Sequence, residues 1–340
     1  MASAKCLTRG LVRFKRYALE PYFEIKNLSV GFKTFEGERK VLDIEHLSIA
    51  RGETYGLVGE SGAGKTVLAF TILGLLQKPA AVIYSGEIWF NGENLLQKSE
   101  QELRKNYLGR KMAMIFQDPM STLNPVFTIG QQIARVIEKQ QGLKGQAVFH
   151  RSIELLDMVK LPDATNTLNK YPHELSGGQR QRVIIAIALS CGADFLIADE
   201  PTRNLDVTIQ AGILKLIGEL QKELKISILF IANNIGLINI FCKTAGVLYR
   251  GKLIEEGPSY LVVRSPLHPY TQALISAIPR DKSEQLKFSN IHIKPDTEIG
   301  CPYTSRCSLA KEKCATTMPM LESYPDGRKV ACFFLDRSTS

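Results

Sequence analysis

The chain has no apolar run approaching the roughly 18–20 residues that a bilayer-crossing helix needs. Its longest, residues 183–191, is short and runs into Gly192-Ala193-Asp194. A membrane-spanning helix is therefore excluded. The first twenty residues lack a continuous apolar centre, so no secretory signal is expected. Dense basic runs with interleaved aromatics are also missing. The formal net charge of +9 therefore does not point to nucleic acid; anionic nucleotides or an anionic membrane surface remain as partners. No internal repeat is visible.

What is present is globular. With 340 residues, 44% apolar and 23% charged, the chain can bury a real core, and one large domain plus a smaller one is expected. Residues 1–20 carry Lys5, Arg9, Arg13, Lys15 and Arg16 against Glu20 alone. Leu7, Leu11, Phe14 and Ala18 fall at helical spacing, which suits an interfacial helix. An untethered basic extension is the favoured reading. Of seven cysteines, Cys191 and Cys242 sit in apolar settings as inert core thiols, Cys6 is isolated, and four crowd the C-terminal end.

Strands are expected over 22–30, 41–49, Thr54–Val58, 86–90, 112–116, 195–198 and 227–231, with a hairpin of 246–249 and 252–256 over Arg250-Gly251. Helices are expected over 65–76, from 129 to about 158, over 178–189 and over Val207–Leu224. Strand–helix alternation implies an α/β fold with a mainly parallel sheet covered on both faces. The helix-rich stretch at about 118–190 reads as an inserted helical subdomain. The main domain spans 21–259, and a Pro-, Lys- and Cys-richer region follows over 260–340.

Gly59-Glu60-Ser61-Gly62-Ala63-Gly64-Lys65-Thr66 matches G-x-x-x-x-G-K-[ST]. Its glycines let backbone N–H groups approach phosphate oxygens, and the following helix presents its N-terminus to the anion. Lys65 is expected to reach the β- and γ-phosphates and Thr66 to ligate Mg²⁺. Phe195-Leu196-Ile197-Ala198-Asp199-Glu200 resembles the buried strand that accompanies such a loop. There Asp199 holds Mg²⁺ and Glu200 polarises the attacking water as a general base. Without the phosphate loop, the same run reads as a buried strand ending in an acidic turn.

Between these motifs lies Leu175-Ser176-Gly177-Gly178-Gln179. Together the three runs resemble the nucleotide-binding subunit of an ATP-binding cassette (ABC) transporter, over roughly residues 22 to 334. The resemblance implies a P-loop cassette with an antiparallel β subdomain, the helical insertion and a small cysteine-containing C-terminal region. It implies that Ser176, Gly177, Gly178 and Gln179 bind the γ-phosphate of an ATP held by a facing cassette. Gln117 takes the place of a glutamine that touches Mg²⁺ or the water and couples to the membrane subunit. Phe32, or else Phe35, takes that of an adenine-stacking aromatic.

Residues 117–125, Gln-Asp-Pro-Met-Ser-Thr-Leu-Asn-Pro, and residues 265–271, Ser-Pro-Leu-His-Pro-Tyr-Thr, are similar to segments of dipeptide and oligopeptide importers, a branch that includes nickel and glutathione systems. Cys301, Cys307, Cys314 and Cys332, spaced C-x5-C-x6-C-x17-C, are similar to a tail that in that branch can hold an iron–sulfur cluster. Four thiolates suit a [4Fe–4S] cluster or, less well, Zn²⁺, which prefers C-x2–4-C pairs. Four unligated thiols is the plain alternative.

Two departures stand out. Where the family shows Thr-His-Asp after the strand ending near 231, this chain has Ala232-Asn233-Asn234. Asn233 can hydrogen-bond a phosphate oxygen but cannot carry a proton or positive charge. The usual Ser-Ala-Leu-Asp reads Arg203-Asn204-Leu205-Asp206. The expectation is an ATPase at the cytoplasmic face of the inner membrane, working with two transmembrane permeases, an extracytoplasmic solute-binding protein and a second, non-identical cassette. Its own ATP site is expected to turn over slowly. The competing readings are a non-catalytic regulatory cassette, an importer subunit for nickel or another small solute, and a cassette acting in repair or translation. The last is disfavoured by the short insertion and single cassette.

Overall fold

The computed structural model describes residues 21–35, 37–278 and 299–335. The basic extension at 1–20 lies outside the described residues, as does Pro279.

The strands are β1 (Phe23–Thr34), β2 (Gly37–Ile49), β3 (Thr54–Val58), β4 (Ala81–Phe90), β5 (Glu93–Asn94), β6 (Met112–Ile115), β7 (Phe195–Asp199), β8 (Ser227–Ala232), β9 (Thr244–Tyr249), β10 (Lys252–Pro258), β11 (Glu322–Ser323) and β12 (Lys329–Val330). The helices are α1 (Lys65–Ile72), α2 (Glu100–Glu102), α3 (Pro119–Thr122), α4 (Ile129–Gln141), α5 (Gln146–Met158), α6 (Ala164–Asn169), α7 (Gly177–Leu189), α8 (Val207–Leu224), α9 (Ile235–Phe241), α10 (Ser259–Arg264), α11 (Pro269–Ser276) and α12 (Glu312–Thr316). No helix among the described residues is long and apolar enough to cross a membrane.

Two sheets form. One is a four-stranded antiparallel sheet in the order β2-β1-β4-β5; the other is eight-stranded, β11-β12-β10-β9-β3-β8-β7-β6. Within the second, the run β9-β3-β8-β7-β6 is parallel. Its central strands read as continuous apolar runs because both faces are covered. Phe195, Ile197, Leu229 and Ile231 pack with α1 and the antiparallel sheet, while Leu196, Ala198, Ile228 and Phe230 pack with the helical insertion and the C-terminal segment. This period-2 division splits one sheet between two cores. The fold is thus the expected P-loop cassette: a mainly parallel sheet, an antiparallel β layer and helices between β6 and β7.

Several boundaries differ from expectation. β1 and β2 continue as a hairpin to Thr34 and from Gly37, where 22–30 and 41–49 were expected. That extension is largely exposed and polar, held by ladder hydrogen bonds rather than burial, so apolar alternation does not mark it. β4 likewise starts at Ala81 rather than 86. α1 ends at Ile72 rather than 76, because the chain reverses at Gly74 (φ 63°), a conformation that favours glycine. The hairpin of β9 and β10 turns at Arg250 (φ 46°) and Gly251 (φ 79°), the primed-turn geometry that matches strand twist.

Candidate nucleotide site

Parallel strands deliver the site. β3 runs into the phosphate loop, and α1 opens at Lys65. The register Val58↔Ala232, Asp199↔Ile231 and Ile115↔Ala198 aligns the C-terminal ends of β3, β8, β7 and β6. Asn233, Glu200 and Gln117 therefore follow at one edge of the sheet, the edge where open α/β sheets bind ligands.

Lys65 Nζ donates to Gly59 O (2.8 Å), Glu60 O (2.9 Å) and Asn233 Oδ1 (2.7 Å). Its three protons are thereby satisfied within the protein. Burial pushes the ammonium below its usual range, against the pull of Glu200 and Asp199. Thr66 Oγ1 donates to Asp199 Oδ2 at 2.8 Å. Asp199 is 1% exposed, and its Oδ1 has no hydrogen-bond partner among the described residues. Burial raises its pKa, opposed by the Thr66 hydrogen bond. A buried carboxylate oxygen left alone beside a threonine hydroxyl is a donor set suited to a hard divalent cation. The positive φ of Gly62 (84°) and Gly64 (104°) shapes the loop as a concave nest of N–H groups that fits phosphate.

Gln117 Nε2 donates to Glu200 Oε2 at 2.9 Å, and Arg203 Nη1 stands 3.4 Å from the same oxygen. Glu200 has φ 44°, a strained conformation for a non-glycine residue. Its N–H donates to Ile231 O. Lys65, Thr66, Gln117, Asp199, Glu200 and Asn233 thus form one linked cluster.

Residues 175–179 make their hydrogen bonds locally. Ser176 caps α7 by accepting the Gln179 N–H, while Gln179 Oε1 accepts the Ser176 N–H at 2.9 Å. The Ser176 hydroxyl keeps its own proton free to donate. A Cβ on Gly178 would stand 2.9 Å from Ile209 Cγ2, so glycine permits the close approach of α7 to α8. Phe32 is half-buried on β1 opposite Arg39 and Ala81, and Phe35 is fully exposed in the hairpin turn.

Cys301, Cys307, Cys314 and Cys332 are all free thiols lining one small cavity with Tyr303 and Phe334. Burial pushes Cys301, Cys307 and Cys332 up. Among the described residues no three His, Cys, Asp or Glu side chains converge closely enough to hold a metal ion. Cys191 is half-buried and Cys242 buried, with raised pKa values from burial.

Three contacts were not foreseen from sequence. Arg203 faces Glu200, and Tyr270 and Arg306 both reach Glu60. Arg306 is 246 residues from Glu60, and no motif spacing links them.

A family profile described as "ABC transporter" matches residues 42–203, and one described as "Oligopeptide/dipeptide transporter, C-terminal region" matches residues 254–314. The chain is 40% identical to the oligopeptide transport ATP-binding protein OppD of Salmonella typhimurium, covering 91% of this chain and 92% of the relative. It is 39% identical to the dipeptide transport ATP-binding protein DppD of Escherichia coli, covering 91% and 95%. Among solved structures, it is similar to an ATP-binding cassette determined as a dimer in a post-hydrolysis state with ADP and Pi. That match has a TM-score of 0.62 and 27% identity, covering 70% of this chain and 98% of the other.

Proposed function

Since the chain belongs to the ABC transporter family of ATPases and carries the C-terminal region of the oligopeptide/dipeptide branch, we propose that it is the ATP-hydrolysing subunit of a peptide importer. The observation that carries this is the joint presence of the assembled nucleotide cluster and the peptide-branch C-terminal segment in one fold. On this reading it sits at the cytoplasmic face of the inner membrane. It works with two permease subunits, a solute-binding protein outside, and a second cassette that is not identical to it.

Lys65 leaves its loop carbonyls to hold the β- and γ-phosphates of ATP. Thr66 and Asp199 hold Mg²⁺, which when bound neutralises charge on the phosphate oxygens. Glu200 orients and deprotonates the attacking water, with Gln117 holding its carboxylate. Phe32 or Phe35 stacks on the adenine, and the segment from Gln117 to Pro125 couples to the permease. Ser176, Gly177, Gly178 and Gln179 serve the ATP of the facing cassette.

The own ATP site is slow. Asn233 is a neutral acceptor gripping Lys65 at 2.7 Å, and it brings no proton or charge to the γ-phosphate. Arg203 Nη1 also stands 3.4 Å from the Glu200 carboxylate. Asn233→His is expected to raise the single-turnover rate about tenfold or more, given the size of charge effects on phosphoryl transfer. An unchanged rate beside the partner cassette refutes the argument from Asn233. No hydrolysis in either variant favours a non-catalytic regulatory cassette.

The four cysteines hold a [4Fe–4S] cluster. Their thiols line one apolar cavity, four thiolates suit such a cluster, and Zn²⁺ prefers C-x2–4-C pairs that this spacing lacks. Co-purification from membrane with mass spectrometry, with iron and zinc measured on the same sample, tests both readings. Recovery without a permease overturns the importer reading, and iron-free protein overturns the cluster.

A further inference from the structure

We propose that Arg306 is a positioning residue for the phosphate loop. It ties the four-cysteine segment to Glu60, so that what fills the cysteine cavity alters how tightly MgATP is held. The effect of filling the cavity rests on the cluster reading above; the tie between Arg306 and Glu60 does not.

Glu60 follows the first glycine of the phosphate loop, and three parts of the molecule hold it. Its carboxylate takes a two-point fork from Arg306, Nη1 to Oε2 at 3.1 Å and Nη2 to Oε1 at 3.2 Å. Its N–H donates to Tyr270 Oη at 2.9 Å. Its carbonyl accepts from Lys65 Nζ at 2.9 Å. Lys65 divides its three protons among Gly59 O, Glu60 O and Asn233 Oδ1, so turning them to phosphate loosens its hold on the loop. The Arg306 and Tyr270 contacts therefore set the frame in which the loop opens.

Arg306 is in turn built into the cysteine segment. It closes the turn Thr304–Arg306 and directly precedes Cys307. That turn is bound to the cavity wall: Thr304 Oγ1 shares its one proton between Cys301 O at 2.7 Å and Cys314 O at 2.9 Å. The guanidinium lies over the Tyr303 ring at 5.6 Å, and Tyr303 meets Tyr270 at 5.4 Å between centroids. Drawing Cys301, Cys307 and Cys314 around a ligand thus moves the turn that carries the fork. Both partners are partly exposed, 30% and 43%, so the pair contributes little to global stability. A planar fork nevertheless fixes direction as a point charge does not.

The test uses the full chain and equilibrium MgATP binding. Arg306→Ala and Glu60→Gln are each expected to weaken affinity about fivefold, the scale of a coupling between sites. The double variant should be no weaker than either single, since both remove one contact. Arg306→Lys should restore only part of the loss. Additive losses, unchanged affinity or full rescue by lysine overturn the proposal. Melting temperatures measured in parallel separate a loop effect from misfolding: a large drop in Arg306→Ala with none in Glu60→Gln also counts against it. In a second arm, the wild-type chain is compared before and after reconstitution with iron and sulfide, with iron content measured. Filled and empty forms should differ about fivefold in affinity, and by under about twofold in Arg306→Ala. An equal difference in both overturns the proposal. If no iron is taken up, the cluster reading fails, and the tie is decided by the first arm alone.

Discussion

An aspartate with one carboxylate oxygen paired and the other buried alone carries an uncompensated desolvation cost. Asp199 is such a group: Thr66 satisfies Oδ2, and Oδ1 is orphaned. Asp199→Asn is expected to leave metal-free stability within about 1 kcal/mol of wild type, or to raise it, because a desolvated charge is removed. Mg²⁺-dependent nucleotide affinity should fall about 10- to 100-fold, the scale of losing a metal-site partner. Urea unfolding without Mg²⁺ and titration calorimetry with and without it separate the two effects. Loss of stability with retained Mg²⁺ dependence would place the cation elsewhere.

At the scale of elements, α11 depends on a histidine that must stay neutral. His268 Nδ1 accepts the Tyr270 N–H at 3.0 Å to cap the helix, and the other ring nitrogen, Nε2, carries the proton that it donates to the Ala331 backbone. Burial lowers its pKa from 6.5 to about 4. The unfolded chain takes up this proton first, so the neutral cap contributes fully above about pH 6.5 and is lost as pH falls toward 4. Between pH 7 and 5 the wild type should lose about 2 kcal/mol through this residue. His268→Asn, which can cap but not titrate, should show a flatter pH profile of chemical unfolding over that window. The same segment shows what sequence can carry. The phosphate loop and Asp199-Glu200 are legible because each is a local run at a strand end. The cap at His268 is less so, since its buried setting depends on Ala331 far along the chain. The hairpin at Thr34 and Gly37 is missed because its residues are polar and exposed. Helix α9 goes unread for a different reason: it is a seven-residue element, too short for apolar periodicity to declare itself. Contacts such as that of Arg306 with Glu60 arise only from tertiary closure, which leaves no period or motif.

For the whole molecule, the proposed separation of labour implies a dimer. The Leu175–Gln179 segment packs on α8 through Gly178, and the Ser176 hydroxyl, which accepts the Gln179 N–H, can still donate its own proton. Glu200→Gln should trap MgATP and shift the chain, with its partner cassette, from monomers to a stable pair in light scattering. Persistence of monomers at saturating MgATP would count against the shared site. The C-terminal segment carries a separate consequence through β12. It pairs with β10 through Glu255↔Val330 and Glu256↔Lys329, and Arg328 stands 3.8 Å from the fully buried Glu255 carboxylate. These few residues close one margin of the large sheet. A chain shortened to residue 278 would bare the β10 backbone as a pairing template while stripping Glu255 of its cation. Such a fragment should self-associate strand to strand, giving growing particles in light scattering where the intact chain gives none. The cysteine-bearing tail, whatever it binds, would then also act as the guard against fibrillar assembly.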